Sequence, residues 1–366
     1  MTHLLVVDGL SKTYTSGGGL FSRLKTARVV SNVSFKLARG DVFALVGESG
    51  SGKTTIGRML LGLIDPDAGS IRFDDIDVLA LDAAGLRRLR RRVQIIFQDP
   101  FGSLDPRVTV GQAIAEPIIL HGLRPAGEVQ ARVSELLALV GLETAHAERY
   151  PHEFSGGQRQ RIAIARALAV EPELIVCDEP VSALDLSIQA QVINLLTELR
   201  AKLGVSYVFI SHDMAVVRHI ATHIGVLYGG RLVETGPSET VLGDPRHPYT
   251  RMLLAATPSP VPGSMRSREP VIGEPPSPFD DSAHCWFASR CSHRTSVCME
   301  GEPLLRQVDP SLRLAACHHA ETLPTATPFD DGEDRMTAAY RLRLDILRKA
   351  RSPDIPQQTS SGSAHG

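Results

Sequence analysis

No apolar run in these 366 residues comes near the ~18 needed to cross a bilayer as a helix. There is no basic excess either: 39 Lys and Arg stand against 41 Asp and Glu, a net charge of −2. That weighs against a nucleic-acid binder, which carries a surplus of positive charge. Met1 to Leu10 lacks a basic region followed by a long apolar core, so no secretory signal is expected. No internal repeat is present. Cysteine is scarce, at five residues, and no two are spaced as CxxC, the usual structural zinc spacing. What remains is an ordinary globular composition, 43% hydrophobic and 22% charged. The length suits one large domain with a smaller companion, in a cytosolic chain that reaches a membrane only through partners.

The most informative stretch is Gly47-Glu48-Ser49-Gly50-Ser51-Gly52-Lys53-Thr54. It fits the phosphate-loop pattern G-x-x-x-x-G-K-[ST]. Val42–Val46 before it reads as a buried strand, and Thr54–Leu63 as a helix. Glycines let the backbone aim several N–H groups at one anion, and the helix N-terminus adds positive potential. Lys53 is then placed for terminal phosphates and Thr54 for Mg²⁺. Thr55 opens the helix beside them. The sequence therefore predicts a nucleoside triphosphate site.

Further strands are expected at Val93–Phe97, Leu174–Cys177, Tyr207–Ile210 and Ile224–Leu227. Helical periods cover Glu128–Val140, Gln158–Val170, Ile188–Leu203 and Met214–Ile220. Short apolar strands between helices predict an α/β fold with a mostly parallel sheet covered on both faces. Leu4–Val7 and Val29–Leu37 read as an antiparallel pair. After Ala256 the chain becomes proline-rich, an extended linker from Thr257 to Pro278. A cysteine-containing segment follows to about 320, then a polar tail over 321–366 with helical spacing at 334–350. The basic run Arg87–Arg92 reads first as a solvated helix face. Contact with an acidic membrane surface or partner is the minority reading.

Leu174–Cys177 ends in Asp178-Glu179. Carboxylates at the C-terminal edge of a parallel sheet sit beside the phosphate loop. Asp178 suits Mg²⁺, and Glu179 suits an attacking water. Ser155-Gly156-Gly157-Gln158 precedes a helix rich in Arg and Ala. Ser155 and Gln158 have capping-box spacing, yet paired glycines ahead of a helix also make an anion-binding end. One nucleotide cannot easily touch both loops of a single chain, so the second loop calls for a second subunit.

In order along the chain, these residues resemble the ATP-binding subunit of an ABC transporter, over positions 1 to about 243. Gly47–Thr54 matches the Walker A loop and Gln98 the Q-loop glutamine. Ser155–Gln158 matches the signature loop, and Asp178–Glu179 matches Walker B with the catalytic glutamate. Asp185, in Ser182-Ala183-Leu184-Asp185, matches the D-loop, and His212 the switch histidine. Tyr14 matches the aromatic that stacks on adenine. Alone, a histidine after a strand or a tyrosine near the N-terminus is more often capping or packing. The resemblance implies a P-loop NTPase ABC cassette: a mostly parallel sheet, an antiparallel N-terminal sheet and a helical subdomain. A small C-terminal cysteine-containing domain would complete the chain. The implied division is 1–256 for the cassette, 257–320 for the cysteine segment and 321–366 for the tail. It also implies a head-to-tail dimer with ATP and Mg²⁺ between Walker A of one subunit and Ser155, Gly156 and Gly157 of the other. Gln98 would sense the γ-phosphate through Mg²⁺ and water, His212 would touch that phosphate, and Asp185 would act across the interface. Asp99–Leu104 would carry motion to membrane subunits.

Three stretches resemble the oligopeptide/dipeptide and nickel importer branch: Phe97–Arg107, His247–Thr250 with Leu253 and Leu254, and the cysteine segment. The Ser16–Phe21 insertion fits members that pair with a second, similar ATPase. The resemblance then implies two permeases, an indirectly coupled substrate-binding protein, and a peripheral site on the cytoplasmic face of the inner membrane. Nickel or glutathione import stays open, as does, further off, a soluble ABC protein acting on ribosomes or DNA. Cys285, Cys291, Cys298 and Cys317 are separated by five, six and eighteen residues. Four thiolates suit a structural [4Fe–4S] cluster. Nearby His284, His293, His318 and His319 leave zinc as the alternative, and small core residues as the plainest one. Cys177 reads as a packed core thiol.

Overall fold

The computed structural model describes residues 3–16, 25–99, 102–257, 273–274, 276–279 and 282–325. The chain opens on two long antiparallel strands, β1 (His3–Ser16) and β2 (Lys25–Ala38). β3 (Val42–Val46) follows, buried at every residue, and leads through the glycine loop into α1 (Lys53–Leu60). β4 (Ala68–Phe73) and β5 (Ile76–Asp77) complete a four-stranded antiparallel sheet in the order β2-β1-β4-β5. Next come α2 (Ala83–Arg92) and β6 (Val93–Ile96), then α3 (Val110–Leu120), α4 (Val129–Leu139) and α5 (Gly156–Leu168), three helices that pack on one another. The chain re-enters the sheet with β7 (Leu174–Asp178), and α6 (Leu186–Leu203) and α7 (Met214–Ile220) flank β8 (Ser206–Ser211). β9 (His223–Tyr228), β10 (Arg231–Pro237), α8 (Ser238–Gly243) and α9 (Pro248–Ala256) end the first part of the fold.

The main sheet runs β11-β12-β10-β9-β3-β8-β7-β6, where β11 (Arg306–Gln307) and β12 (Leu314–Ala315) come from the C-terminal segment. Its five strands from β9 to β6 are parallel, and the other three are antiparallel additions. Residues two apart on a strand share a face. Phe43, Leu45, Leu174, Val176, Val208 and Ile210 thus join one core with α1 and the antiparallel sheet. The opposite face carries Tyr207, whose hydroxyl donates to the Leu196 carbonyl of α6 at 3.1 Å. Burial on both sides is why these strands read as near-continuous apolar runs. Cys177 is fully buried, in keeping with a packed thiol.

Residues Met1–Thr257 and Arg268–Pro328 form one compact unit. The basic run lies on α2, with Arg87, Arg88, Arg90 and Arg91 exposed. Arg92 is drawn in by Glu173, Asp74 and the face of Phe73. The expected linker over 257–278 lies mostly outside the described residues. So do Gly17–Phe21 of the insertion, Pro100, Phe101 and the expected helix at 334–350.

His247 shows how tightly the segment after β10 is packed. It is 2% exposed, and its Nδ1 accepts the Tyr249 N–H at 3.0 Å, capping α9. Burial pushes its pKa down to about 3 from 6.5. Its neutral form therefore contributes stability that is complete above pH 6.5 and lost as pH falls towards 3. Glu234 beside it has the opposite sense. Burial pushes it up to about 7 from 4.5, so its contribution is lost as pH rises through that window. His247→Asn keeps a capping acceptor but takes up no proton. Its melting temperature should fall less than the wild type's between pH 6.5 and 4.5. Parallel acid limbs in the two proteins would exclude this role for His247.

Candidate functional site

The site is built at the C-terminal ends of β3, β7 and β8. Parallel register sets Val46 beside Ser211 and Asp178 beside Ile210, so the turns after the three strands open at one edge. Gly47 and Gly52 have φ of 155° and 99°. A Cβ on Gly47 would stand 2.2 Å from the Leu227 carbonyl oxygen, and one on Gly52 2.5 Å from that of Val29. Both obstacles are backbone atoms, so any side chain here would push the loop off its supports.

Lys53 folds back over the loop. Its Nζ donates to the carbonyls of Gly47 and Glu48 at 2.8 Å each and reaches the Ser51 hydroxyl at 3.4 Å. Burial lowers its pKa, with Glu179, Asp178 and Glu48 acting in the other direction. An anion seated in the loop would oppose that burial effect. Thr54 donates its hydroxyl to Asp178 Oδ1 at 2.9 Å. Burial raises the Asp178 pKa, and the Thr54 hydrogen bond acts against it. A divalent cation fits this pair of oxygens, one hydroxyl and one carboxylate poor in other donors.

Glu179 follows Asp178 with φ of 47°, a left-handed conformation that non-glycine residues seldom adopt. Its N–H donates to the Ile210 carbonyl at 3.0 Å. This bend turns the chain out of the sheet, and the carboxylate lies 3.3 Å from His212 Nδ1 after β8. Glu179 and His212 line a cavity of about 650 Å³ together with Gly47, Glu48, Ser49, Gly50, Gly52, Lys53, Thr54, Thr55 and Gln98. Val29, Met252, Leu253 and Ala256 complete the lining. Sequence reading did not place these last four at the site. Leu253 served only as a branch marker, and no local signal says that α9 folds back over the loop.

Sequence and structure comparisons agree with this geometry. The profile of the ABC transporter family matches residues 30–182, and that of the oligopeptide/dipeptide transporter C-terminal region matches 233–298. A Brucella ovis protein assigned by name to peptide import as an ATP-binding protein is 51% identical over 309 residues, 84% of this chain and 96% of its own. The Escherichia coli dipeptide transport ATP-binding protein DppF is 44% identical over 314 residues, 86% of this chain and 93% of its own. The chain belongs to the ATP-binding proteins of ABC transporters, in the oligopeptide/dipeptide group. Among solved structures, the dimeric ATP-binding cassette MJ0796 bound to ADP and Pi has a TM-score of 0.57 at 30% identity, covering 64% of this chain and 98% of that one. CbiO1 of Clostridium perfringens, part of an ABC transporter complex, has a TM-score of 0.58 at 28% identity, covering 66% and 91%.

The other motif residues of this ABC cassette lie away from the cavity lining. Ser155 caps α5 in a reciprocal capping box with Gln158, and a Cβ on Gly157 would stand 2.4 Å from Ile188 Cγ2. Gly156 is the first residue of α5. Asp185 caps α6, accepting from Ile188 N–H at 3.0 Å and from the Ser187 hydroxyl at 2.7 Å. Tyr14 is 41% exposed on β1, with Lys12 Nζ 5.7 Å from its ring centre.

The cysteines form no disulfide. Cys298 Sγ is 3.7 Å from His319 Nε2, and Cys317 Sγ accepts the His319 N–H at 3.4 Å. Burial pushes the Cys317 thiol up to about 12 and raises that of Cys285, so both hold their protons at neutral pH. Among the described residues no three His, Cys, Asp or Glu side chains are grouped to hold a metal ion. The [4Fe–4S] set expected at Cys285, Cys291, Cys298 and Cys317, and its zinc alternative, thus find no support among the described residues, although Cys285, Cys291 and Cys298 all lie near enough to act on the Cys317 thiol.

Gly52→Ala tests the loop as an ATP cradle. It should weaken ATP binding by at least about tenfold, since the added carbon meets backbone on the supporting strand. Titration with a fluorescent ATP analogue measures this, and wild-type affinity would contradict the assignment.

Proposed function

We propose that this ABC ATPase powers the import of di- or oligopeptides. The observation that carries the catalytic part is the shared edge of β3, β7 and β8, where phosphate loop, Glu179 and His212 line one cavity and Asp178 meets it through Thr54. In this reading the N–H groups of Gly47–Thr54 and the Lys53 ammonium bind the ATP phosphates. Lys53 exchanges the loop carbonyls it holds for phosphate oxygens. Thr54, Asp178 and Gln98 would hold Mg²⁺, which when bound neutralises charge on the phosphates. Glu179 orients the attacking water and draws its proton, and His212, 3.3 Å from the Glu179 carboxylate, faces the γ-phosphate. Tyr14 stacks on adenine.

Ser155, Gly156, Gly157 and Gln158 then serve the nucleotide of a partner ATPase, alike or different, and Asp185 works across that junction. The dimeric cassette among the solved relatives supports this reading. ATP would close the dimer, and hydrolysis would open it. Asp99–Leu104 transmits the motion to two permease subunits fed by a substrate-binding protein. No helix among the described residues is long and apolar enough to cross a membrane. Attachment at the cytoplasmic face of the inner membrane therefore runs through the permeases. Residues 257–320 are the branch-specific C-terminal element, and 321–366 its tail. The peptide class rests on the names of the relatives and the match to their C-terminal region.

Glu179→Gln should keep ATP binding while phosphate release falls by roughly 10²–10⁴-fold, the loss expected for a general base. Wild-type turnover in that variant would remove Glu179 from the mechanism. Proteoliposomes holding the assembled transporter should take up a labelled dipeptide only when ATP is supplied on the cassette side. ATP-driven uptake of nickel with none of peptide would overturn the substrate class.

A further inference from the structure

The phosphate loop contains one acid, Glu48, whose charge has the same sign as the ligand's. Its carboxylate is held by Arg290, which lies 242 positions later in the C-terminal segment. The pairing is a fork on a fork: Nη1 to Oε2 and Nη2 to Oε1, both at 2.9 Å. The Arg290 side chain is 3% exposed and that of Glu48 27%. Arg290 is seated by aromatic packing, its guanidinium 5.8 Å from the centre of the Tyr228 ring. Tyr228 in turn packs on Tyr249 and Phe287, at 4.5 and 5.2 Å between ring centres. Tyr249 also grips the loop directly, its hydroxyl accepting the Glu48 N–H at 2.9 Å. The Glu48 carbonyl meanwhile accepts from Lys53. Side chain, N–H and carbonyl of this one loop residue are thus each held by a different part of the chain.

We infer that Arg290 is a positioning residue for the ATP site: it cancels the charge of Glu48 and fixes the phosphate loop from the C-terminal segment. Without it, a carboxylate lining the cavity would face the phosphates unopposed, in surroundings where charges are poorly screened. A guanidinium suits the task because its planar fork matches a carboxylate and it stays charged when buried. This function sets the C-terminal segment to work at the nucleotide. Its attachment through β12 and β10 places it to do so, and losing the segment would cost ATP affinity as well as stability. The inference rests on Gly47–Thr54 being the ATP phosphate site.

The test is ATP affinity of the full-length protein, measured by titration with a fluorescent ATP analogue beside a melting curve for each variant. Arg290→Met should weaken ATP binding on the order of tenfold, as an uncompensated nearby charge does. Glu48→Gln should tighten it, because Arg290 then stands charged beside the phosphates with no carboxylate. The double variant should recover most of the tenfold loss. A staple with no electrostatic role gives the opposite pattern: Glu48→Gln weakens binding, and the double variant stays as weak as Arg290→Met. Either result overturns the inference. Should Arg290→Met not fold, Glu48→Gln alone decides by its sign. Arg290→Lys gives a further check, since it keeps the charge and should bind several-fold better than the methionine variant; equal weakness would overturn the role. Failure of the wild type to bind ATP would remove the phosphate site and this inference together. Wild-type binding with an inverted variant pattern removes the inference alone.

Discussion

The hydrogen bond from Thr54 to Asp178 joins residues 124 positions apart, and the site depends on the constraint it reports. That constraint is the parallel register of β3, β8 and β7, which brings three C-terminal strand ends level. A one-residue slip in any of these strands would swap its two faces and carry the turn after it out of line. Register here is enforced by burial on both faces, so the apolar strands and the polar edge are parts of one solution. The acids can stand at the sheet edge only because the residues behind them leave no other arrangement.

Electrostatics follows from the same packing. Lys53 and Asp178 are both buried, and burial disfavours the charged form of each. Their pKa shifts run in opposite directions because both groups stand in poorly solvated surroundings. Phosphates and a divalent cation are the groups of matching sign. The loop holds Lys53 with its own carbonyls, which keeps the ammonium from being an unpaired buried charge. Glu48 is treated in the same way, its counter-charge coming from the far end of the described chain. The C-terminal segment is accordingly no appendage: β12 pairs with β10, Ala316 N–H donates to the Val233 carbonyl at 2.8 Å, and Trp286 stacks under the Arg231 guanidinium.

Much of the fold was legible in the sequence. Val42–Val46 and Met214–Ile220 coincide with β3 and α7, and the other four expected parallel strands and the remaining expected helices end within a few residues of those observed. Those segments are fully buried or strongly periodic, so local pattern and tertiary demand agree. The elements not anticipated are those where they disagree. α3 contains Pro117, which argues against a helix when read locally. β4 carries a glycine, and β10 holds Glu, Thr, Gly and Pro, yet five of its seven residues are buried. Glu234 can sit there because the backbone N–H groups of Arg246 and His247 donate to its carboxylate. β11 and β12 have two residues each, too short for any periodicity.

The sequence alone determined the chemistry of the chain. Gly47–Thr54 with Asp178–Glu179 points to strand ends, phosphates and a divalent cation, and such a pattern is local to a few residues and their order. It also sufficed to assign the ABC family, because the motifs occur in that family's sequence. Only the tertiary structure decided which distant residues share the site and which do not. Met252, Leu253 and Ala256 close over the loop, Arg290 reaches Glu48, and Ser155 and Asp185 turn aside to cap helices. It likewise brings the cysteines near one another without giving support to a metal-ligand group among the described residues. The physical reason is range. Strand propensity, caps and glycine turns act over a few residues, whereas a salt bridge across 242 positions exists only once the sheet has brought its partners together.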